Sequence, residues 1–151
     1  MHFVNPLTAL GLYDKVKSLK AACAIQTGAA SQLGRMLIKI CQQNKMPLIN
    51  IVRRDEQVTL LKEQYGAEIV LNSNAENFTE DFTKLCKDMK ATALIECVGG
   101  ETTGKLMECL PSRSTVIFYG ALSEKGCSEI DPLLLIGRAT KLEGFVLGQY
   151  I

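Results

Sequence analysis

The sequence predicts a doubly wound α/β fold with a six-stranded, mostly parallel sheet and helices on both faces. Strand-like and helix-like patterns alternate along the 151 residues. The strand-like runs are almost continuously apolar, which is typical of parallel strands that are covered on both faces. In such a sheet, ligands bind in the crevice at the carboxyl ends of the strands.

The individual elements are predicted from apolar periodicity and from capping residues. Asn5 is the expected N-cap of the first helix, with Pro6 in its first position. Gly66 is placed to cap a later helix at its C-terminus, and Pro111 ends another. The predicted helices cover residues 6–17, 31–45, 55–65, 78–89, 102–110 and 132–138. The predicted strands cover residues 21–26, 48–53, 68–71, 91–98, 115–119 and 141–147.

The composition is that of an ordinary globular domain, with 47% apolar and 22% charged residues. A net charge of +1 provides no basic footprint for nucleic acid, and no apolar run is long enough to span a bilayer. Six scattered cysteines without C-x-x-C spacing and a single histidine, His2, give little support for a zinc site. The cysteines are interpreted as small core residues in a reducing compartment.

The junction between the first strand and the second helix carries the strongest functional signal. An apolar run enters a turn of small residues, and a helix follows at once. Backbone N–H groups and the helix dipole at such a start favour a pyrophosphate. The full G-x-G-x-x-G pattern is missing at Ala30 and Leu33, so a turn that only needs close packing at Gly34 remains an open alternative. The candidate contact residues are Gly28, Ala30, Ser31, Gln32 and Leu33.

The residues at the end of the second strand are predicted to determine whether NAD or NADP binds. An acidic residue there binds the ribose 2′-hydroxyl of NAD, whereas arginine accommodates the 2′-phosphate of NADP. Arg53 and Arg54 come first and favour NADP, because a guanidinium pairs well with phosphate. Asp55 is the rival residue for NAD, but its position suits the N-cap of the following helix. A solvated loop is the alternative interpretation of the arginine pair.

Two further strand ends are rich in glycine, at residues 97–100 and 119–122. Small residues there allow a ligand to approach the backbone closely, although turn formation alone also explains them. Three such endings on one edge of a sheet favour a binding site.

In order and spacing, these segments resemble the cofactor-binding domain of medium-chain dehydrogenases/reductases. The resemblance is strongest to the zinc-independent quinone oxidoreductase and 2-enoyl thioester reductase branch. The matching segments are residues 4–9, 28–34, 52–55, 65–68, 96–100, 119–122, 131–136 and 143–147.

This resemblance implies a Rossmann fold, NADP(H) as the cofactor and a role for each candidate residue. Asn5 and Thr8 close on the nicotinamide side, residues 30–33 form the pyrophosphate loop, and Arg53 and Arg54 hold the 2′-phosphate. The remaining implied contacts, several of them through the backbone, are Val98, Tyr119, Gly120, Ala121, Leu122, Phe145, Val146 and Leu147. No residue of the chain is expected to be catalytic.

Two departures from the family pattern shape the expectations. Phe3, Val4 and Asn5 stand where zinc-dependent relatives carry a ligating cysteine, so no catalytic zinc is expected. The second departure is the missing GroES-like catalytic domain. We therefore expect one NADP(H)-binding domain over residues 1–151, with an N-terminal helix segment at 1–18 and a βαβ core at 19–151.

The implied function is that of an NADPH-dependent oxidoreductase that reduces a polarised C=C bond in a 2-enoyl thioester or a quinone. On this view the full-length parent is active and the isolated chain is inactive. The alternatives are a catalytically silent NADP(H)-binding module or scaffold, and a doubly wound domain that binds flavin or S-adenosylmethionine. The expected partners are NADPH, a small-molecule substrate and a second copy joined through strand 141–147, without nucleic acid or membrane. The expected compartment is the mitochondrial matrix or the cytoplasm.

Overall fold

The computed structural model describes residues 4–119 and 130–145. Helices in these ranges are α1 (Val4–Ser18), α2 (Gln32–Gln43), α3 (Asp55–Tyr65), α4 (Phe78–Met89), α5 (Gly100–Glu108) and α6 (Pro132–Arg138). Strands are β1 (Cys23–Gln26), β2 (Leu48–Val52), β3 (Ile69–Asn72), β4 (Ala91–Glu96), β5 (Thr115–Phe118) and β6 (Lys141–Gly144).

All six strands form one parallel sheet in the order β3-β2-β1-β4-β5-β6. The chain runs outward from β1 to β3, crosses back to β4 and then runs outward in the other direction. The strand order therefore reverses between β1 and β4, which is the switch point at which folds of this kind bind ligands. The predicted doubly wound fold is confirmed.

Two apolar cores cover the sheet, one on each face. Side chains of α1, α2 and α3, such as Leu12, Leu37 and Leu61, fill the first core. Side chains of α4 and α5, such as Phe82 and Leu106, fill the second. The central strands β1, β2 and β4 are almost completely buried, which explains their continuous apolar sequence. The five cysteines in the described ranges are also buried, as predicted, while Cys127 lies outside those ranges.

The helix ends confirm one predicted cap and correct two. Gly66 adopts the left-handed conformation with φ of 66° and donates its N–H to the α3 ladder, as predicted. Asn5 lies inside helix α1 (Val4–Ser18), so it is not the N-cap, and Pro6 lies in the first described turn of this helix. Proline is tolerated there because the N–H groups of a first turn have no partner within the helix.

Asp55 is the second correction, since it is the first residue of α3 and not its N-cap. Arg54 occupies the N-cap with extended backbone angles (φ −141°, ψ 148°) and makes no side-chain capping bond. The Asp55 carboxylate instead accepts a hydrogen bond of 2.9 Å from the Asn72 side chain at the end of β3. A contact between the start of α3 and the end of β3 has overridden the local capping preference.

The remaining differences are at element boundaries. Strand β4 ends at Glu96, two residues earlier than predicted, because the Val98 N–H turns back to the Glu96 side chain. Helix α5 accordingly begins at Gly100. Strand β6 ends at Gly144, and the last two residues of the predicted strand, 146 and 147, lie outside the described ranges.

Candidate functional site

The candidate site lies along the carboxyl edge of the sheet, because all the parallel strands end there. The turn after β1 begins with Thr27, whose N–H donates to the Ile95 carbonyl (3.1 Å), and continues with Gly28 in the left-handed conformation (φ 59°). Ser31 then caps α2 by accepting a 3.1 Å hydrogen bond from the Gly34 N–H. The positive end of the α2 dipole therefore faces the crevice, as a pyrophosphate site requires.

Close packing holds this turn rigidly against β1. A Cβ atom added at Gly34 would lie 2.5 Å from the Ala29 carbonyl oxygen and 2.7 Å from that of Gly28. The buried Gln26 side chain donates to the Gly34 carbonyl (2.9 Å) and to Asn50 on β2 (2.8 Å). Gly34 therefore allows the close packing that was the alternative interpretation of this turn in the sequence. The same packing fixes the geometry of the turn.

At the end of β2, Arg53 and Arg54 are both exposed. Among the residues that the structure describes, neither guanidinium forms a hydrogen bond or an ion pair. The main chain there is held firmly, because the Arg53 N–H donates to Gln57 (3.1 Å) and the Arg53 carbonyl accepts from Asn74 (2.9 Å). The tip thus offers two positive charges on a fixed backbone.

A buried carboxylate lies at the switch point. Glu96, the last residue of β4, is fully buried and accepts three hydrogen bonds. The donors are the Thr27 hydroxyl (2.7 Å), the Val98 N–H (2.7 Å) and the Thr103 hydroxyl (3.1 Å) on α5. Glu96 therefore ties together the ends of β1 and β4 and the first turns of α5, which border the switch point of the sheet.

A thiol and a phenol complete this cluster. Burial raises the pKa of the Cys97 thiol, and hydrogen bonds with Tyr119 and Thr27 offset only part of that shift. Burial also raises the pKa of Tyr119 strongly, and the nearby Cys97 and Glu96 add to the shift. Both groups therefore stay protonated at neutral pH, so neither is a nucleophile or a base in this structure.

The other predicted site residues are placed as follows. Val98 is the second residue after β4 and Tyr119 the first after β5, both at the carboxyl edge. The Phe145 N–H extends the β5–β6 ladder by donating to the Phe118 carbonyl (2.7 Å). Thr8 is buried on α1, which packs against α2. Ala30, Gln32 and the buried Leu33 occupy the turn and the first residues of α2. Gly120, Ala121, Leu122, Val146, Leu147 and the side chain of Asn5 lie outside the described part of the structure.

The buried polar groups Gln26, Thr27, Glu96 and Thr103 were not among the predicted site residues. One signal was present, since Glu96 is an acidic residue inside an otherwise apolar strand and needs a buried partner. Its partners, Thr27 and Thr103, carry no comparable signal. The position of Gln26 in an apolar strand is a similar but weaker hint.

Within residues 4–119 and 130–145, no three His, Cys, Asp or Glu side chains are grouped so that they could hold a metal ion, so the described donors do not fit a zinc centre. No helix in the same ranges combines the length and apolar character needed to cross a membrane.

Comparison with known proteins identifies similar sequences and similar structures. Mitochondrial enoyl-[acyl-carrier-protein] reductase of Mus musculus is 29% identical over 97% of this chain, which spans 40% of that protein. The structure of a protein from Mesorhizobium loti, described as an NADPH:quinone reductase, superposes with a TM-score of 0.89 at 32% identity, over 97% of this chain and 42% of that one. A mutant form of enoyl thioester reductase from Candida tropicalis superposes with a TM-score of 0.80 over 97% of this chain and 43% of that one, and at 23% identity the likeness concerns the fold.

The chain thus spans about two fifths of the length of the curated relatives it matches. The family model described as zinc-binding dehydrogenase matches residues 33–150, which is most of the sequence. The order of the strands and the position of the crevice agree with that match. This chain therefore belongs to the zinc-binding dehydrogenase family, as a cofactor-binding domain of the medium-chain dehydrogenase/reductase superfamily.

Proposed function

We propose that this chain binds NADP(H) for an oxidoreductase that reduces a polarised C=C bond. The observation that carries the proposal is the exposed pair Arg53 and Arg54 after β2, whose guanidiniums have no partner among the described residues and lie on the same sheet edge as the capped start of α2. One end of this edge suits a 2′-phosphate, and the turn beside it suits a pyrophosphate.

The residues of the edge fit an extended dinucleotide. Arg53 and Arg54 would hold the 2′-phosphate, and residues 28–33 would hold the pyrophosphate through backbone N–H groups. Val98 and Tyr119, beside the switch point, would border the nicotinamide. When bound, NADPH supplies a hydride, whereas the chain supplies orientation and electrostatics.

The substrate proposal rests on the relatives. The similar proteins are described as an enoyl-[acyl-carrier-protein] reductase and an NADPH:quinone reductase. Both chemistries add hydride to a conjugated, polarised acceptor. We therefore propose a 2-enoyl thioester or a quinone as the substrate class of the full-length protein. Since the similar reductases are named as mitochondrial, we propose the mitochondrial matrix as its compartment, with the cytoplasm as the alternative.

The titratable groups of the crevice favour a binding role for this chain taken alone. Cys97 and Tyr119 are held protonated, and the Glu96 carboxylate accepts hydrogen bonds from three buried donors. These groups shape the crevice and do not form an acid–base pair. We therefore propose that the isolated chain binds the cofactor without turnover, as a silent NADP(H)-binding module also would.

Calorimetric titration of the chain with NADPH and NADH tests the cofactor proposal. We expect tighter binding of NADPH, and Arg53→Ala or Arg54→Ala should each weaken it by about 1.5–3 kcal/mol, because a charge-assisted contact with phosphate is lost. Binding of NADH should change little. Lys62→Ala is a matched control, because this exposed cation lies in the last turn of the same α3 helix, at the end away from the arginines. Equal affinity for the two cofactors, or tighter NADH, would refute the proposal.

The edge strand β6 supports a further proposal, that two copies pair through it. Strand β6 is the last strand of the sheet and pairs with β5 on one side. Leu133 and Ile136 on α6 and Leu142 on β6 are exposed to 71%, 78% and 40%. Apolar side chains beside a strand edge that no other described strand covers favour pairing with the same edge of a second copy.

A further inference from the structure

A loop that follows β3 closes against the end of β2. The Ser73 N–H donates to the Val52 carbonyl (2.8 Å), and the Asn74 side chain donates to the Arg53 carbonyl (2.9 Å). The Ala75 N–H donates back to the Asn72 carbonyl (3.0 Å), which closes the turn. The main chain that presents the two arginines is therefore braced by the loop at residues 72–75.

The orientation of the Asn72 amide is determined by its two neighbours. Its Oδ1 accepts a hydrogen bond of 2.9 Å from the Asn74 N–H, which is a fixed backbone donor. Its Nδ2 group must therefore point the other way, and there it donates to Asp55 Oδ1 at 2.9 Å. The Asp55 carboxylate is thus held toward β3.

The held carboxylate of Asp55 works against a 2′-phosphate at this tip. A carboxylate after the second strand accepts the ribose 2′-hydroxyl of an unphosphorylated nucleotide, and it repels a phosphate in the same place. Asp55 directly follows Arg53 and Arg54, so a free Asp55 side chain would compete with the guanidiniums for the same position. The hydrogen bond to Asn72 occupies one of its oxygens and ties the side chain to β3.

We propose that Asn72 is a specificity-determining residue, which makes the β2 tip selective for a 2′-phosphorylated nucleotide by restraining Asp55. The inference rests on the proposed NADP(H) function, and it adds Asn72 as a residue that acts on cofactor selectivity through Asp55. Asn72 itself is a positioning residue and does not need to touch the ligand.

Calorimetric titration with 2′,5′-ADP and with 5′-AMP tests the inference on the whole 151-residue chain. The two probes differ only by the 2′-phosphate, so the ratio of their dissociation constants isolates the selectivity. Asn72→Ala should reduce the preference for 2′,5′-ADP about fivefold, the size of one partly exposed charge interaction. Combining Asn72→Ala with Asp55→Asn should restore the preference, because the released side chain then carries no charge. Asn77→Ala is the matched control, since this exposed asparagine makes no capping bond and lies just beyond the loop.

The possible outcomes separate the inference from the proposed function. A variant that is only less stable would bind both probes more weakly in proportion, so an unchanged ratio in Asn72→Ala overturns the role of Asn72 alone. A ratio that stays low in the double variant overturns the role of Asp55, and the inference with it. A wild-type chain that prefers neither probe overturns the proposed cofactor, and the inference falls with it.

Discussion

Gly34→Ala is the perturbation for which the structure gives the most definite expectation. The added methyl group would lie 2.5 Å from the Ala29 carbonyl oxygen and 2.7 Å from the Ala29 carbonyl carbon and the Gly28 carbonyl oxygen. The shortest of these distances falls 0.9 Å below the 3.4 Å at which ordinary van der Waals contact begins. All three atoms belong to the backbone of the turn, so no side chain can rotate away. The turn itself must move.

The energetic cost follows from two opposing effects. Overpacking of this kind costs about 1–3 kcal/mol. Alanine is also a better helix former than glycine by about 1 kcal/mol, which partly hides the cost. Gly137→Ala on α6 isolates the second effect, because a methyl group there meets nothing within 4 Å. The difference between the two variants in free energy of unfolding therefore measures the collision.

Denaturant unfolding and cofactor titration together provide the assay. We expect Gly34→Ala to be less stable than Gly137→Ala by about 1–3 kcal/mol, which corresponds to a melting temperature lower by roughly 2–12 °C for a domain of this size. We also expect weaker binding of NADPH and NADH alike, because the displaced turn is the proposed pyrophosphate site. A Gly34→Ala variant as stable as its control, with unchanged affinity, would refute the packing argument and the rigid turn together.

Three further outcomes are expected. Glu96→Ala removes the acceptor of three buried donors and should lower the free energy of unfolding by about 2–4 kcal/mol. Glu96→Gln keeps the side-chain volume and one acceptor, so its loss should be smaller. Equal losses for the two variants in urea unfolding would contradict this. Burial raises the pKa of Cys23 to about 11 and of Cys41 to about 12, so the unfolded chain loses these protons at lower pH than the folded chain does. The stability that these thiols contribute should therefore be fully present below about pH 9 and be lost as the pH rises through 11–12. Cys23→Ala should make this decline of the free energy of unfolding less steep in urea unfolding between pH 9 and 12. Leu142→Lys should shift a dimer to monomer in sedimentation at micromolar concentration, and a wild-type monomer would exclude pairing through β6.

The fold was predictable because its signals are local and repeated. Apolar runs predict the buried strands, and periodic apolar patterns predict the amphipathic helices. The glycine at position 66 predicts a left-handed helix cap. Each of these depends on a few neighbouring residues, so the sequence alone reveals it. The edge position of β6 also followed from the alternation of the elements, and the sheet order confirms it.

The polar interior of the site was not predictable in the same way. The bonds of Glu96 reach Thr27, which is 69 residues away in the sequence, and those of Gln26 reach Asn50, 24 residues away. Only the parallel packing of β1 between β2 and β4 brings these groups together. A threonine after a strand has no distinctive pattern, so such a network can be read only from the folded chain.

Asp55 illustrates how such a contact changes the functional interpretation of a residue. Judged by its neighbours, Asp55 is either a helix cap or a ligand for a ribose hydroxyl, and in the structure Asn72, 17 residues away, binds it instead. Within the described ranges, the guanidiniums of Arg53 and Arg54 beside it form no hydrogen bond or ion pair. The β2 tip and the β1–β4 crevice therefore differ in what a substitution there would disturb. At the β2 tip, exposed charges can change without disturbing a core, so cofactor choice can vary there. At the β1–β4 crevice, Glu96 carries both the shape of the site and part of the stability of the fold, so a change there alters both together.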